Sequence, residues 1–286
     1  MDLSVIIVSW NVKDKLRECL KSVQETMRGS DLAYEVFVVD NASRDGSADM
    51  VKKEFQDFFV IANNVNAGFA KANNQATKLS QGRYVLLLNP DMRLFAGTLD
   101  GMVKFMDDPR NVKVGVGGCH LVSAEGKTVP HVRRFPRLAD QLAIILKVPH
   151  LFPRVLDSYM MHDFDYAKEA RVDSIRGSFF MIRRELMDKI GMLDEGFFIW
   201  FEEVDFCKRT IEAGYEVAYT PVAKCVDYVG QSFKQMKFYP KQKMFTRSMV
   251  YYFKKHAPAW EYCIVWALRP LTLGLVWVRD KIRSIR

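Results

Sequence analysis

Leu3-Ser4-Val5-Ile6-Ile7-Val8-Ser9-Trp10-Asn11 opens the chain as a short β-branched run that breaks into polar residues at its end. An almost unbroken apolar run of this length suits a strand covered on both faces, as in a parallel sheet. Helical periodicity follows at residues 12–26, and the strand–helix pairing then recurs. Strand-like runs at 35–39, 59–62, 84–88 and 113–117 alternate with helical stretches at 47–55, 67–79 and 97–106. Such βαβ spacing predicts an α/β fold with a mainly parallel central sheet covered by helices. Ligands of these sheets bind beyond the carboxyl ends of the strands, so the strand exits carry most of the functional information.

Those exits are polar. The first is Ser9-Trp10-Asn11, the second Asp40-Asn41-Ala42-Ser43-Arg44-Asp45-Gly46-Ser47, the third Asn63-Asn64-Val65-Asn66-Ala67-Gly68 and the fourth Asn89-Pro90-Asp91. Helix capping accounts for one such residue per exit, with Ser43 or Asp45 before residues 47–55 and Asn66 before 67–79. Several stand at each exit, which points to a polar ligand. No G-x-G-x-x-G follows the first strand and no G-x-x-x-x-G-K-[ST] occurs, which argues against dinucleotide binding and P-loop chemistry.

The 286 residues and their 27% charged content are those of an ordinary globular protein. Five scattered cysteines, with no C-x-x-C pair, suit a reduced, cytosolic setting. The N-terminus has no basic lead and no small-residue cleavage site, and reads as a strand rather than an export signal. Charge is uneven. Residues 233–286 hold twelve Lys or Arg against two acids, a net +10, and leave thirty basic residues against thirty-two acids, or −2, on residues 1–232. The body is therefore no polyanion binder, and no nucleic-acid partner is expected. In the tail, Trp260, Ile264, Leu268, Leu271, Leu275, Val278, Ile282 and Ile285 recur at steps of three and four, with Arg269, Thr272, Arg279, Arg283 and Arg286 opposite them. This reads as a cationic amphipathic helix lying on an anionic membrane surface, where each Lys or Arg adds about 1 kcal/mol. Arg269 near the middle of 259–278, at roughly 2.5 to 3.5 kcal/mol, argues against a spanning helix. A helix packed on the protein's own core is the other reading.

Taken in order, Ser-Val-Ile-Ile-Val-Ser-Trp-Asn (4–11), Val-Asp-Asn-Ala-Ser-Arg-Asp-Gly-Ser (39–47), Asn-Ala-Gly-Phe-Ala-Lys-Ala-Asn-Asn (66–74) and Leu-Leu-Leu-Asn-Pro-Asp (86–91) resemble the family 2 inverting glycosyltransferases. Val-Asp-Ser-Ile-Arg-Gly-Ser-Phe-Phe-Met-Ile-Arg-Arg-Glu (172–185) and Leu-Asp-Glu-Gly-Phe-Phe-Ile-Trp-Phe-Glu-Glu-Val-Asp-Phe-Cys-Lys-Arg (193–209) resemble their rhamnosyltransferase-like branch. The resemblance implies a glycosyltransferase A fold over residues 1–232, with 131–171 as an acceptor-side insertion and 233–286 as the membrane-associating tail.

The resemblance also implies a nucleotide-sugar donor, Mg²⁺ or Mn²⁺, and roles by position. Asp40, Ser9 and Asn11 would bind the nucleobase, and Ser43, Asn66, Gly68 and Asn73 would belong to the donor site. Asn89-Pro90-Asp91 takes the place of the D-x-D motif, with Asp91 a metal ligand or a helix cap, and Asn89 a ribose or outer contact. A divalent ion held by one or two carboxylates offsets the charge growing on a departing diphosphate. Glu203 would be the general base, and Glu202 and Asp205 would orient the acceptor and cap the helix; acids at a helix start also suit the dipole. Where the family has His-x-x-Gly-x-Ser, this chain reads Asp227-Tyr228-Val229-Gly230-Gln231-Ser232, making Asp227 either a second metal ligand or a solvated loop residue. The insertion holds His131, Arg133, Arg134, Arg137, Lys147 and Arg154, and its Arg and Lys side chains could bind an acceptor diphosphate or face solvent. His120 and His131 receive no role.

The reaction this implies is non-processive transfer of one sugar, rhamnose first, to a polyprenyl-diphosphate-linked glycan. It would take place peripherally on the cytoplasmic face of the inner membrane. A nucleotidyltransferase of similar fold lacks its glycine-rich basic loop here, and a non-catalytic membrane or nucleic-acid binding module leaves Asp40, Asp91 and Glu203 as coincidence.

Overall fold

The first strand is buried along its whole length and takes the middle of the molecule. The computed structural model describes residues 1–230 and 236–285, without the side chains of Val278 and 282–285. Gln231, Ser232 and Arg286 lie outside the described residues, as do the side chains of Val278, Ile282, Arg283 and Ile285. In chain order the elements are β1 (Leu3–Ser9), α1 (Lys13–Met27), β2 (Tyr34–Asp40), α2 (Ser47–Glu54), β3 (Phe59–Ala62), α3 (Phe69–Thr77), β4 (Tyr84–Leu88), β5 (Met92–Leu94) and α4 (Thr98–Asp107). After β6 (Val114–Val122) come β7 (Val132–Arg133), α5 (Leu138–Ile145), α6 (Asp157–Met160), β8 (Ala170–Arg171), β9 (Ser174–Ile175) and β10 (Phe179–Arg183). The chain continues with α7 (Arg184–Ile190), α8 (Glu202–Glu212), β11 (Glu216–Asp227), α9 (Phe238–His256) and α10 (Ala259–Ile285).

The main sheet runs β3-β2-β1-β4-β10-β6-β11-β5, with β8 paired to β11. β1, β2, β3, β4, β6 and β11 point one way, and β10, β5 and β8 run against them. The expected mainly parallel sheet is therefore present, with one reversed strand, β10, set between β4 and β6. Its run Phe179-Phe180-Met181-Ile182 is apolar on both faces because it is covered on both. Helix spacing explains the layers: Leu16, Cys19, Leu20, Val23 and Met27 of α1 and Leu99, Met102, Val103 and Met106 of α4 fall on single faces and fill one side of the sheet. α3 and α8 supply Ala72, Ala76, Phe206 and Cys207 to the other side. Each large side chain so buried contributes about 1.5–3 kcal/mol.

The tail is fastened to this body. Met249, Tyr252 and Phe253 of α9 are buried against Phe197, Phe201, Ile145 and Val265. On α10 the face turned toward α9 is the one the sequence sets opposite its apolar stripe. Thr272 is fully buried with the Gln242 amide donating to it, and Arg269 Nε donates to Thr246 Oγ1 (3.3 Å). Trp260, Trp266, Leu271, Leu275 and Trp277 are exposed. In the middle of the helix the side that carries Arg269 and Thr272 is therefore partnered by α9. Periodicity finds the stripes but not which of them meets the protein.

Asp205 is the fastening point between α8 and α9. It has no exposed surface and accepts from Arg209 Nε (2.8 Å), with Lys255 Nζ and His256 Nε2 each 2.7 Å from its other oxygen. Burial pushes its carboxyl up, but His256, Lys255 and Arg209 outweigh this and hold it at about 2. An ordinary Asp titrates near 3.9, so this stabilisation is complete above about pH 4 and fades as the pH falls through 2. Asp205→Asn should lower unfolding free energy at pH 7 by about 2–3 kcal/mol, and the gap from wild type should close between pH 4 and 2 in urea titrations. A gap independent of pH would show that the carboxylate charge is not what fastens α9.

Candidate active site

A cleft of about 570 Å³ lies beyond the carboxyl ends of β1, β2 and β4 and is closed on its far side by the start of α8 and by α9. Trp10, Asn41, Asn66 and Gly68 line it from the first three strand exits, and Asn89 and Asp91 from the fourth. Asp227 enters from the end of β11, Glu202 and Glu203 from α8, Arg133 and Arg176 from either strand of the β7–β9 ribbon, and Met244 and Phe245 from α9. Asp91 and Glu203, about 110 positions apart in the chain, thus face one cavity.

Asn41 organises the exits. Its amide donates to Asn66 Oδ1 (2.9 Å) and to the Gly68 carbonyl (3.2 Å), and its oxygen accepts from the Ala67 N–H (2.9 Å). Asn66 Oδ1 also accepts from the Gly68 N–H, so it shapes the turn rather than capping α3. The α3 N-terminus is capped from elsewhere, the Phe69 N–H donating to the Phe198 carbonyl (2.7 Å). That contact needs Gly68: its φ is +84°, and a Cβ there would stand 2.5 Å from Phe198 O. Asp45 accepts from the Lys13 and Ser47 N–H groups, and Ser43 Oγ accepts from the Asn11 N–H, so these residues tie the first two exits together. Ser9 and Asp40 face each other in the β1–β2 register. Both are buried, and Ser9 Oγ and Asp40 Oδ1 have no hydrogen-bond partner among the described residues. Buried polar atoms left open in this way ask for an external partner.

The acid pair is placed by strain. Trp200 and Phe201 are both left-handed, at φ +65° and +71°, a conformation that costs non-glycine residues of order 1–3 kcal/mol each. α9 holds them there: Phe245 packs on both rings, Tyr252 packs on Phe201, and Ser248 Oγ donates to the Ile199 carbonyl (2.8 Å). The chain then enters α8 with Glu202 buried and Glu203 half-buried, and an oxygen of each has no partner among the described residues. Burial, with Glu203 beside it, pushes Glu202 well up. Burial raises Glu203 as well, against the pull of Arg133 and Arg176. One tripeptide joins this pair to the other acids. Arg176 Nη1 (3.1 Å) and Ser178 Oγ (3.3 Å) both donate to Asp227 Oδ2, while a Cβ on Gly177 between them would touch Glu203 Cβ at 3.4 Å.

Asp91 and Asp227 are each almost fully buried and line the cleft from adjacent strands, with Asp227 opposite Met92 in the β5–β11 register. Among the described residues no group of three or more His, Cys, Asp or Glu gathers in metal-binding geometry. Two carboxylates nevertheless fit Mg²⁺ or Mn²⁺, hard ions that take one or two protein carboxylates and complete their shell with phosphate and water oxygens. Not every residue expected at the site arrives there. Asn73 is buried within α3, its amide donating to the Phe69 carbonyl (2.9 Å), because α3 turns that side of itself into the core. Asp205 sits three residues past Glu202 and points to α9 instead of the acceptor. Arg176 and His131 were missed as site residues. His131 lines the cleft with its Nδ1 against the Val129 carbonyl, and burial lowers it to about 4, so it is neutral. The Arg176–Asp227 pairing spans 51 positions and leaves no local signal.

The fold is that of the glycosyltransferase A class. The model of glycosyl transferase family 2 matches residues 4–191, and the chain belongs to that family. Its relatives include the N-acetylglucosaminyl-diphospho-decaprenol L-rhamnosyltransferase of Mycobacterium tuberculosis, 21% identical over 93% of this chain and 89% of that protein. The rhamnosyltransferase WbbL of Escherichia coli is 23% identical over 78% of this chain and 82% of its own length. Two Bacillus relatives, a minor teichoic acid biosynthesis protein and a poly(ribitol-phosphate) beta-glucosyltransferase, are matched over only 17% and 15% of their lengths. Among solved structures, the mannosyltransferase PcManGT of Pyrobaculum calidifontis, in complex with GDP-Man and Mn²⁺, superposes with a TM-score of 0.59 at 21% identity, covering 99% of this chain and 75% of that one. The chain is a rhamnosyltransferase-like family 2 glycosyltransferase, of a kind whose relatives make cell-surface glycans.

Gly68→Ala should cost roughly 1–3 kcal/mol from its φ alone and should also force Phe198 off the start of α3. A fall of several degrees in melting temperature is expected; an unchanged melt would mean the two loops are not in contact.

Proposed function

We propose that the protein transfers a single sugar, with inversion, from a nucleotide-diphosphate-sugar to a hydroxyl of a polyprenyl-diphosphate-linked glycan. Rhamnose is the proposed sugar. The observation that carries this reading is one cleft holding two acidic centres of different character, Asp91 with Asp227 and Glu202 with Glu203. Asp40 and Ser9 accept and donate to the nucleobase end of the donor, which meets their open hydrogen-bonding positions, with Asn66, Gly68 and Asn89 lining the cleft and Asn11 and Ser43 joining the first two exits beside it. Asp91 and Asp227 would hold Mg²⁺ or Mn²⁺, which when bound supplies positive charge against the leaving diphosphate. The pairing of PcManGT with GDP-Man and Mn²⁺ supports both donor class and cation. The decaprenol-linked acceptor named for the mycobacterial relative supports the acceptor class.

Glu203 acts as base. Its burial gives a carboxylate of raised proton affinity, able to take the acceptor hydroxyl's proton as that oxygen bonds to the anomeric carbon. The bond from that carbon to the phosphate oxygen breaks on the opposite face, and its electron pair leaves with the nucleoside diphosphate. Glu202, whose proton affinity burial raises well above the ordinary Glu range, orients the acceptor. Because Glu203 must be ionised first, turnover should rise with pH through a value above the ordinary Glu range. Glu203→Gln should cut kcat by about 10²–10⁴-fold while nucleoside diphosphate binding persists. Retention of the wild-type rate would reassign the base.

The protein acts peripherally at the cytoplasmic face of an anionic membrane, through the outer face of α10. Residues 259–281 are long and apolar enough to cross a bilayer, and most of the stretch is unburied. The exposed residues from Trp260 to Trp277 are uncharged, with Glu261 and Arg269 half-buried, while the exposed Lys243, Arg247 and Lys254 on α9 supply basic contacts. Replacing Trp266 and Trp277 by Ser should abolish sedimentation with anionic vesicles at unchanged melting temperature. Continued sedimentation would move the membrane contact elsewhere.

A further inference from the structure

Arg133 is the one cation of the 131–171 insertion that lines the cleft. Arg134 donates to Ser158 Oγ, Lys147 to Gln242 Oε1, and Arg137 and Arg154 are exposed. The backbone of Arg133 is fixed, because its carbonyl accepts from Ser174 Oγ (3.1 Å) and the next N–H donates to the Tyr159 carbonyl (3.1 Å). Its guanidinium, half-buried, makes no hydrogen bond or ion pair among the described residues. Arg176, which stands across the same ribbon, already has Asp227. Glu203 feels its charge but does not reach it, and taking five N–H donors partly out of water with no acceptor in contact is costly, so a position of this kind is built for an anion that comes with the substrate.

The anion belongs to the acceptor. Arg133 sits on the side of the cleft where Glu203 and Tyr159 also line the wall, and its charge is felt by both. The acids Asp91 and Asp227 lie toward the β4 and β11 ends. We infer that Arg133 binds a phosphate of the acceptor, so that the sugar receiving the new linkage is one directly attached to phosphate. This rests on the proposed transfer reaction and narrows its acceptor: a sugar deep inside a long glycan would carry its phosphate too far away. Guanidinium and phosphate pair through two parallel hydrogen bonds, which a lysine reproduces only in part.

The test uses the full chain and two synthetic acceptors with the same sugar, one a short prenyl-diphosphate sugar and the other an alkyl glycoside without phosphate. Wild type should prefer the diphosphate acceptor by about 10- to 100-fold in kcat/KM, Arg133→Gln should erase that preference, and Arg133→Lys should restore part of it. A loss in Arg133→Gln that is equal for both acceptors, with the acid limb of the pH profile moved alike, would make Arg133 a counter-charge to Glu203 and overturn the inference. A rise in donor KM alone would overturn it too. Should wild type use neither acceptor, the proposed reaction fails. Titration of the same two compounds by tryptophan fluorescence then still decides Arg133: tighter diphosphate binding that Arg133→Gln removes supports it, and equal binding refutes it.

Discussion

The chemistry of this protein depends on a turn that its own residues disfavour. Trp200 and Phe201 are held left-handed immediately before α8, and this sets Glu202 and Glu203 against the cleft. Two bulky residues adopt such a backbone only where the surroundings over-determine it. The surroundings are Phe245, Ser248 and Tyr252 of α9, together with the loop that carries Phe198 to the start of α3. The acid pair is thus positioned jointly by the sheet, through Gly68, and by the tail, through α9.

Opposed electrostatic demands meet across the cleft. Asp227 accepts hydrogen bonds from Arg176 and Ser178, whereas burial raises the proton affinity of Glu202 and Glu203. The short stretch Arg176-Gly177-Ser178 touches both groups, with Arg176 and Ser178 donating to Asp227 and Gly177 lying against Glu203.

Much of this was legible from residue order. The exits of β1, β2, β3 and β4 could be located because apolar runs end there in Asn, Asp and Ser, and local chemistry of that kind survives folding unchanged. Asp91 and Glu203 were identifiable through their motifs, and the cleft brings them to one cavity. What could not be read was decided by contacts remote in sequence. Asp205 lies in the same acidic cluster as Glu203, yet helical geometry turns it toward His256 and Lys255. Asn73 looks like a polar site residue until α3 is packed. α10 has two usable faces, and only the positions of Gln242 and Thr246 on α9 decide which one is inward. Arg133 and Arg134 are adjacent and alike, but Arg133 ends β7 and lines the cleft while Arg134, just past the strand, donates to Ser158.

The fastening of Asp205 to Lys255 and His256 has a practical corollary for anyone shortening the chain. A cut at the onset of the basic tail, which the charge profile would invite, or anywhere before the Ala257-Pro258 junction, strips the clasp from the back of α8 and lets Glu202 and Glu203 drift, however intact the β1–β4 half of the sheet remains.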